Sequence, residues 1–304
     1  MDGILLVDKP RGKTSHDVVA DVRRERGERR VGHAGTLDPA ATGVLPVLLG
    51  EATKLMPYLA DQDKEYRATV RFGVTTDTLD TGGRVLSEAP VPALSLSALE
   101  TACAPFVGRI RQVPPMYSAV HHGGRRLYEL AREGADVPRE PREVVIHSIA
   151  VEGIAGTSAT LRVVCGKGTY VRVLAADLGK VLGCGGAIER LVRTRVGPFG
   201  VDEAVPWEVL TSAASGALWG RVLPPEAALA LWPGVRLPAP TVRAFTHGQP
   251  VTLATPPAEE GALVRVHDAA GAFLGVGEVI AGGKKVRPVR LLHADRPGTR
   301  DFPA

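Results

Sequence analysis

The most constraining feature of this chain is a short segment, residues 32–43, with the sequence GHAGTLDPAATG. Its three glycines and one proline give it an irregular backbone, because glycine permits positive φ and proline fixes φ at about −65°. The sequence therefore predicts a loop that can hold a side chain at a set angle. Asp38 is the acidic residue of this loop.

The residues alone leave the role of Asp38 open. The segment has no second carboxylate, which argues against the paired acids of a glycosidase. His33 is the nearby metal-ligand type and nothing repeats at ligand spacing, which argues against a metal site. A lone carboxylate on a rigid loop can act as a nucleophile. An isolated Asp-Pro can equally cap a helix or form an Asx turn.

Composition excludes several classes of protein. The cysteines Cys103, Cys165 and Cys184 are odd in number and far apart, which argues against a disulfide framework and fits a reducing cytoplasm. The apolar run after Gly3 is too short for a signal peptide, and no stretch approaches the length of a membrane span. The net charge of +4 is only mildly basic.

Two glycine-containing stretches are not nucleotide sites. The triplet Gly12-Lys13-Thr14 would need a glycine five residues before Gly12 to form a P-loop, and Val7 stands there. The run from Gly183 to Gly186 lacks the last glycine of a dinucleotide fingerprint, because Ile188 takes its place. No nucleotide cofactor is therefore implied.

Hydrophobic periodicity predicts a mixed α+β fold. Residues 4–7 and 66–72 read as strands, and 15–24 reads as a helix capped by Ser15. Residues 171–182 read as a helix that ends at Gly183. Because strands and helices alternate without a regular βαβ rhythm, we expect α+β and not a doubly wound sheet. Prolines cluster over 223–240, and short β-like runs follow, which predicts a small C-terminal β-rich domain.

The segment 109–142 is rich in arginine and carries a net charge of +3, from seven arginines and four acids. One interpretation is a solvated basic surface. The other is an insertion whose arginines neutralise RNA phosphates.

Five short segments, taken together, resemble one family. They occur in that family's order, over about the first two-thirds of the chain: VDKPRGKTS (7–15), GHAGTLDPAATG (32–43), KEYR (64–67), PPMYSAV (114–120) and GTYVR (168–172). Each could arise by chance, but five in the right order are much stronger. The chain resembles the TruB family, the tRNA pseudouridine-55 synthases.

The resemblance implies an architecture. We expect a catalytic domain over 1–235 with a mixed, largely antiparallel sheet flanked by helices, and an RNA-binding insertion at about 109–142. A PUA-like RNA-binding domain would follow over 236–293, with a tail at 294–304.

The resemblance also implies an activity and its residues. The protein would isomerise a uridine to pseudouridine at position 55 in the T loop of tRNA. Asp38 would supply the nucleophile or base, Arg172 would pair with it and keep it ionised, and Tyr66 would lie against the base. Tyr170 and Leu191 would line the uridine pocket.

His33 matches the histidine that helps to hold the target nucleotide out of its stack. The reaction only rearranges atoms, so no cofactor or metal is expected. The partner would be the T arm of tRNA, and the enzyme would act in the cytoplasm as a monomer, with no membrane and no protein partner required.

Two alternatives remain at this point. One is a non-catalytic RNA-binding or RNA-folding protein on the same scaffold. The set of Asp38, Tyr66 and Arg172 argues against it, because a pure binder has no need of that carboxylate beside RNA phosphates. The other is a guide-RNA-dependent relative, although the chain lacks a long lysine-rich tail.

Overall fold

The structure, a computed structural model, describes residues 1–212 and 215–292. The predicted tail at 294–304 lies outside those ranges. The α-helices are α1 (Ser15–Arg26), α2 (Met56–Ala60), α3 (Leu96–Cys103), α4 (Leu127–Arg132), α5 (Val171–Val181), α6 (Trp207–Leu210) and α7 (Ala239–Thr246). Short 3₁₀ helices cover Gly50–Leu55, Ala104–Phe106, Val201–Glu203, Ser215–Arg221 and Pro225–Leu229.

The strands fall into two groups along the chain. Those of the N-terminal part are β1 (Gly3–Lys9), β2 (Val31–His33), β3 (Thr42–Leu49), β4 (Lys64–Phe72), β5 (Val74–Thr76), β6 (Val85–Glu88), β7 (Gly108–Gln112), β8 (His121–His122), β9 (Arg125–Arg126), β10 (Arg142–Ala155), β11 (Ser158–Cys165), β12 (Gly186–Val196), β13 (Phe199–Gly200) and β14 (Val205–Pro206). Those of the C-terminal part are β15 (Gly234–Arg236), β16 (Val251–Thr252), β17 (Leu263–His267), β18 (Phe273–Ile280) and β19 (Lys285–Leu291).

One large mixed sheet dominates the fold. Within the described ranges its strand order is β14-β1-β3-β12-β4-β11-β10-β7, with β2 beside β3 and β13 beside β12. The β1–β14 and β3–β12 pairs are parallel and the other pairs are antiparallel. The predicted α+β class with a largely antiparallel sheet is confirmed.

Helices cover the sheet because each strand buries side chains on one or both faces. Val18 and Val22 of α1, Leu99 of α3 and Leu174 and Leu178 of α5 share one core with the sheet. A second core contains Ile4, Leu6 and Leu48 from the opposite face, together with the 3₁₀ helices at 50–55 and 225–229.

The start of α1 differs from the sequence prediction. Thr14 and not Ser15 is the cap: its hydroxyl accepts from the Asp17 N–H at 3.0 Å, and Asp17 accepts from the Thr14 N–H at 2.8 Å. This reciprocal capping box satisfies two donors that a helix start otherwise leaves unpaired. Ser15 is the first helical residue and is buried, which frees its hydroxyl for another contact.

The C-terminal part forms its own five-stranded sheet, in the order β15-β17-β18-β19-β16. Its core includes Val235, Phe245, Val264 and Val286. A β-rich C-terminal domain, as predicted, is therefore present, and its first strand begins at Gly234. In the described ranges, no helix combines the length and the apolar character that a membrane crossing requires.

Candidate active site

Asp38 lies in the loop that joins β2 to β3. Gly35 and Gly43 bend the backbone there with φ of +88° and +107°, a region that side chains with a Cβ rarely adopt. The Asp38 carbonyl accepts a hydrogen bond from the Ala41 N–H at 3.1 Å, which closes a turn. The loop is thus built around a tight bend, and the Asp38 side chain remains 36% exposed.

The segment that joins β1 to α1 anchors this loop. Ser15 Oγ accepts from the Leu37 N–H at 2.8 Å and donates to the Leu37 carbonyl at 3.2 Å. The Gly12 N–H donates to the Pro39 carbonyl at 2.8 Å. The two neighbours of Asp38 in the chain, Leu37 and Pro39, are therefore both fixed by hydrogen bonds. The sequence prediction missed this function of Ser15, because a serine at a helix start is more often a cap.

Lys9 adds a buried cation to the same anchor. Its ammonium group donates to the carbonyls of Pro10 at 2.9 Å, Lys13 at 2.7 Å and Pro39 at 3.4 Å. Burial lowers the pKa of Lys9 to about 8, against an attraction from Asp38 that raises it. The contacts to carbonyl oxygens assign Lys9 to holding the backbone, which makes it a structural element of the site.

Arg172 contacts both carboxylate oxygens of Asp38. Its Nη2 donates to Oδ1 at 3.1 Å, and its Nε lies 2.8 Å from Oδ2. The Nε–H is not aimed at that oxygen, so the second contact is an ion pair without a hydrogen bond. The Arg172 side chain is 5% exposed. A buried guanidinium thus fixes the orientation of a carboxylate that still faces the cleft.

The start of α5 and two carbonyls hold Arg172 itself. Its Nη1 donates to the Thr78 carbonyl and its Nη2 to the Tyr117 carbonyl, both at 2.8 Å. Tyr117 belongs to one of the five segments that carry the family resemblance. The two carbonyls pair with Nη1 and Nη2, which offsets part of the cost of burying the guanidinium.

Apolar and charged side chains line the cleft in which the carboxylate lies. Leu191 of β12 lines an open cleft together with Asp38, Arg172, Ile188 and Arg11. Tyr66 of β4 is half-buried, and burial raises the pKa of its phenol while the Arg193 guanidinium lowers it. Burial likewise raises the pKa of Tyr170. The negative charge of Asp38 also raises the pKa of each phenol.

Gln112, which the sequence prediction missed, fixes the Tyr170 backbone. Its side-chain Oε1 accepts from the Tyr170 N–H at 2.9 Å, and its Nε2 donates to the Tyr170 carbonyl at 3.3 Å. Gln112 is 3% exposed at the end of β7. A single glutamine in a polar segment gives no sequence signal for such a clamp, because the pairing depends on the fold.

His33 ends β2, at the edge of the same loop. Burial, with the positive charge of Arg193, lowers the pKa of His33 to about 4. Its Nδ1 is buried without a hydrogen-bond partner among the described residues. The side chain is therefore a neutral imidazole at physiological pH, which suits it to contact a base rather than a phosphate.

The insertion at 109–142 divides its arginines into two sets. Arg109, Arg125 and Arg139 form ion pairs with Glu143, Glu133 and Asp136. For residues 1–212 and 215–292, no ion pair is found for Arg111, Arg126, Arg132 or Arg142. Arg126 and Arg132 instead flank the ring of Tyr128, at 5.9 and 5.5 Å from its centroid. The insertion thus presents uncompensated positive charge.

A second groove adjoins the cleft and shares Arg11 and Leu191 with it. Arg190, Thr42 and Ser158 also line this groove. For metals, the described residues contain no group of three or more His, Cys, Asp or Glu side chains placed to hold an ion.

Comparison with protein families matches most of the chain. Residues 23–171 match the TruB family pseudouridylate synthase (N terminal domain). Residues 172–230 match the tRNA pseudouridylate synthase B C-terminal domain, and residues 233–292 match a second C-terminal model, pseudouridine synthase II TruB, C-terminal.

Curated relatives are similar over nearly the whole length. The tRNA pseudouridine synthase B of Aromatoleum aromaticum is 46% identical over 292 residues, which cover 96% of this chain and 93% of the relative. The enzyme of the same name from Stutzerimonas stutzeri is 43% identical, with 97% of each chain covered.

Solved structures share the fold. A chain of a Cbf5-Nop10-Gar1 complex matches with a TM-score of 0.71 at 26% identity and covers 95% of this chain and 83% of that one. A chain of an H/ACA ribonucleoprotein bound to a substrate RNA containing 2′-deoxyuridine matches with a TM-score of 0.73 at 25% identity, covering 96% and 86%. The resemblance found in the sequence is confirmed: this chain belongs to the TruB family of pseudouridylate synthases.

Proposed function

We propose that this protein isomerises one uridine of tRNA to pseudouridine, at position 55 in the T loop. Family membership supports the reaction, and one observation of the site carries the proposal. Asp38 is 36% exposed at the floor of the cleft, while Arg172, which contacts both of its oxygens, is 5% exposed. The carboxylate can therefore reach a substrate, although its charge partner is closed to solvent.

The reaction breaks the N1–C1′ glycosidic bond and forms a C5–C1′ bond. The proton on C5 leaves, and N1 gains a proton, so the product is an isomer of the substrate. No electrons are gained or lost. The protein's task is thus to bind, turn and hold the freed uracil.

Asp38 acts on the bound nucleotide as the nucleophile or base. Arg172 fixes the carboxylate in one orientation, so the Asp38 side chain is already positioned when the substrate binds. Tyr66 stacks on the uracil. Burial holds its phenol neutral at physiological pH, which suits stacking against an uncharged base.

Leu191, Tyr170 and His33 complete the base pocket. An uracil detached from its sugar must not escape, and apolar walls exclude the water that would compete with it. Every base has a π face, so aromatic side chains bind a base that has left its stack. The neutral imidazole of His33 occupies the edge of the loop, where an extruded nucleotide would enter.

The arginines of the insertion support docking of a folded RNA arm. Arg111, Arg126, Arg132 and Arg142 are free of carboxylate partners within the described ranges, so they can neutralise phosphates. Arg11 and Arg190 place two more exposed guanidinium groups along the groove beside the cleft. Recognition by shape and backbone is typical of structured RNA.

The direct test is to map the product. The purified chain is incubated with an unmodified tRNA transcript, and pseudouridine is scored at every uridine. We expect modification at position 55 alone, and none in a matched transcript that carries cytidine there. Modification at another uridine would overturn the assigned position. Tight tRNA binding without any pseudouridine would favour a non-catalytic RNA-binding protein.

We also propose that the enzyme works in the cytoplasm as a monomer, without a protein partner. The three cysteines are buried and free, which suits a reducing compartment. Light scattering of the purified chain should give the mass of one chain, 32.0 kDa, in the same solution in which the tRNA is modified. A stable dimer, or activity only after a second protein is added, would contradict this.

A further inference from the structure

Arg193 is a buried cation for which the reaction scheme above gives no role. It lies on β12, its side chain is 1% exposed, and no carboxylate within the described ranges forms an ion pair with it. Removing a guanidinium from water is costly unless hydrogen-bond acceptors in the protein satisfy its donors. The burial of Arg193 therefore indicates that its guanidinium makes specific contacts inside the protein.

Three hydrogen bonds join Arg193 to the Asp38 loop and to the strand that follows it. Its Nη2 donates to the Gly35 carbonyl at 3.1 Å, and its Nη1 reaches the Thr36 carbonyl at 3.5 Å. Its Nε donates to the Val44 carbonyl at 3.0 Å. Gly35 and Thr36 precede Asp38, and Val44 follows the loop. One side chain therefore ties together both ends of the loop.

The sheet places Arg193 in the same rung as Tyr66. Arg193 pairs with Gly43 of β3 on one side and with Tyr66 of β4 on the other. Residues directly opposite each other in neighbouring strands present their side chains on one face, a few ångströms apart. The Arg193 guanidinium accordingly interacts with the Tyr66 hydroxyl group. The same side chain thus contacts the loop that carries Asp38 and interacts with the hydroxyl group of Tyr66.

The glycines of the loop fit closely over this arginine. A Cβ added to Gly43 would lie 2.2 Å from the Arg193 carbonyl oxygen, and one added to Gly35 would lie 3.4 Å from Arg193 Nη1. At 2.2 Å the Gly43 Cβ would clash with the backbone of Arg193, which cannot move aside as a flexible side chain could. The glycines that make the loop distinctive in the sequence therefore allow it to pack directly onto Arg193.

We propose that Arg193 is a positioning residue that holds the Asp38 loop and the Tyr66 side chain in one fixed geometry. This inference rests on the proposed function, in which Asp38 and Tyr66 act on the same uracil. A guanidinium suits the task because its planar donors can reach carbonyls on several sides at once. A lysine ammonium keeps the charge but is a point donor, and it cannot span the same three carbonyls together with a phenol.

The test compares Arg193→Lys with Arg195→Lys, a matched change two residues along the same strand, where the side chain donates to the Gly197 carbonyl at 3.2 Å. Single-turnover rates are measured with saturating tRNA, together with the Kd for tRNA and the thermal unfolding midpoint. We expect Arg193→Lys to slow turnover by about 100-fold, the effect of a misplacement on the order of 1 Å. Its Kd should change by less than about threefold, and Arg195→Lys should turn over at the wild-type rate.

A double variant separates positioning from general structural support. Residues that act as a unit have non-additive effects, so Arg193→Lys should slow Tyr66→Phe much less than it slows the wild type. Three outcomes would overturn the inference. Arg193→Lys could turn over at the wild-type rate, the two substitutions could slow turnover by independent factors in the double variant, or Arg193→Lys could fail to fold at about 25 °C. Absence of pseudouridine with the wild-type chain would instead refute the proposed function.

Discussion

Arg172 contacts both carboxylate oxygens of Asp38 across 134 positions of sequence. Asp38 belongs to the loop between β2 and β3, and Arg172 belongs to the first turn of α5. The contact forms only when α5 packs on the sheet beneath that loop. The Asp38 carboxylate is therefore oriented by the folded core. If it acts in the reaction as proposed, substitutions at this contact should lower the rate of turnover more than the affinity for tRNA.

Arg172→Lys is expected to slow single-turnover pseudouridine formation by about 100-fold. Lysine keeps a positive charge but cannot contact both carboxylate oxygens and the carbonyls of Thr78 and Tyr117 at once. The Kd for tRNA should change little, because the side chain is buried. Arg265→Lys is the control, since Arg265 is a half-buried arginine that donates to the Trp232 carbonyl, away from the cleft. Equal rates for both variants would count against the role of Arg172.

Ser15→Ala and Thr14→Ala are adjacent substitutions with different expected effects. Thr14→Ala removes a helix cap and should lower the free energy of unfolding by about 1 kcal/mol without changing turnover. Ser15→Ala leaves the Leu37 N–H and carbonyl unpaired and should cost about 1–3 kcal/mol. It should also slow turnover, because Leu37 precedes Asp38. Denaturant unfolding and single-turnover rates measure the two effects, and unchanged turnover in Ser15→Ala would contradict the anchoring of the loop.

His33 predicts a pH dependence of stability. Its pKa of about 4 in the folded chain lies below the ordinary histidine value of 6.5. Between those values the unfolded chain binds more protons, so the contribution of His33 to stability is complete above pH 6.5 and declines as the pH falls toward 4. We expect the wild type to lose about 1–2 kcal/mol more than His33→Gln between about pH 7 and about pH 5. Denaturant unfolding at the two pH values measures this, and equal losses would contradict a neutral, buried imidazole.

The two sets of arginines in the insertion should differ in the salt dependence of tRNA binding. Arg111→Gln or Arg132→Gln should each reduce the slope of log K against log salt by about 0.7–0.9, the value for one phosphate contact. Arg109→Gln should reduce it less, because that guanidinium is already paired with Glu143 at 2.6 Å. Titrations at several salt concentrations give the slopes. Identical slopes for all three variants would show that ion pairing within the insertion does not decide which arginines meet RNA.

Local sequence patterns were enough to predict the class of fold. Apolar residues alternate over 66–72 and recur at helical spacing over 171–182, which is typical of a strand and a helix with one buried face. The structure has β4 and α5 there. The resemblance, and not any spacing, suggested that Asp38 and Arg172 meet. Thr14 and Ser15 are both good caps, so the pattern could not tell which would serve the helix and which the loop.

Arg193 shows why part of the site could not be predicted. An arginine in an alternating strand reads as a surface residue, since charged side chains are rarely buried. Its burial depends on carbonyls such as that of Val44, which lies 149 positions away. Only the assembled sheet brings these acceptors to one point, so no local pattern could have revealed it.

In the proposed reaction the Asp38 carboxylate acts directly on the bound uridine. Asp38→Asn keeps the shape and removes the charge, and Asp177→Asn is a matched control, because Asp177 is 31% exposed and paired with Lys180, against 36% exposure for Asp38. With tRNA tritiated at uracil C5, we expect Asp38→Asn to bind tRNA and to release tritium at least about 10³-fold more slowly than the wild type, with Asp177→Asn unaffected. Release of tritium by Asp38→Asn at the wild-type rate would contradict the account.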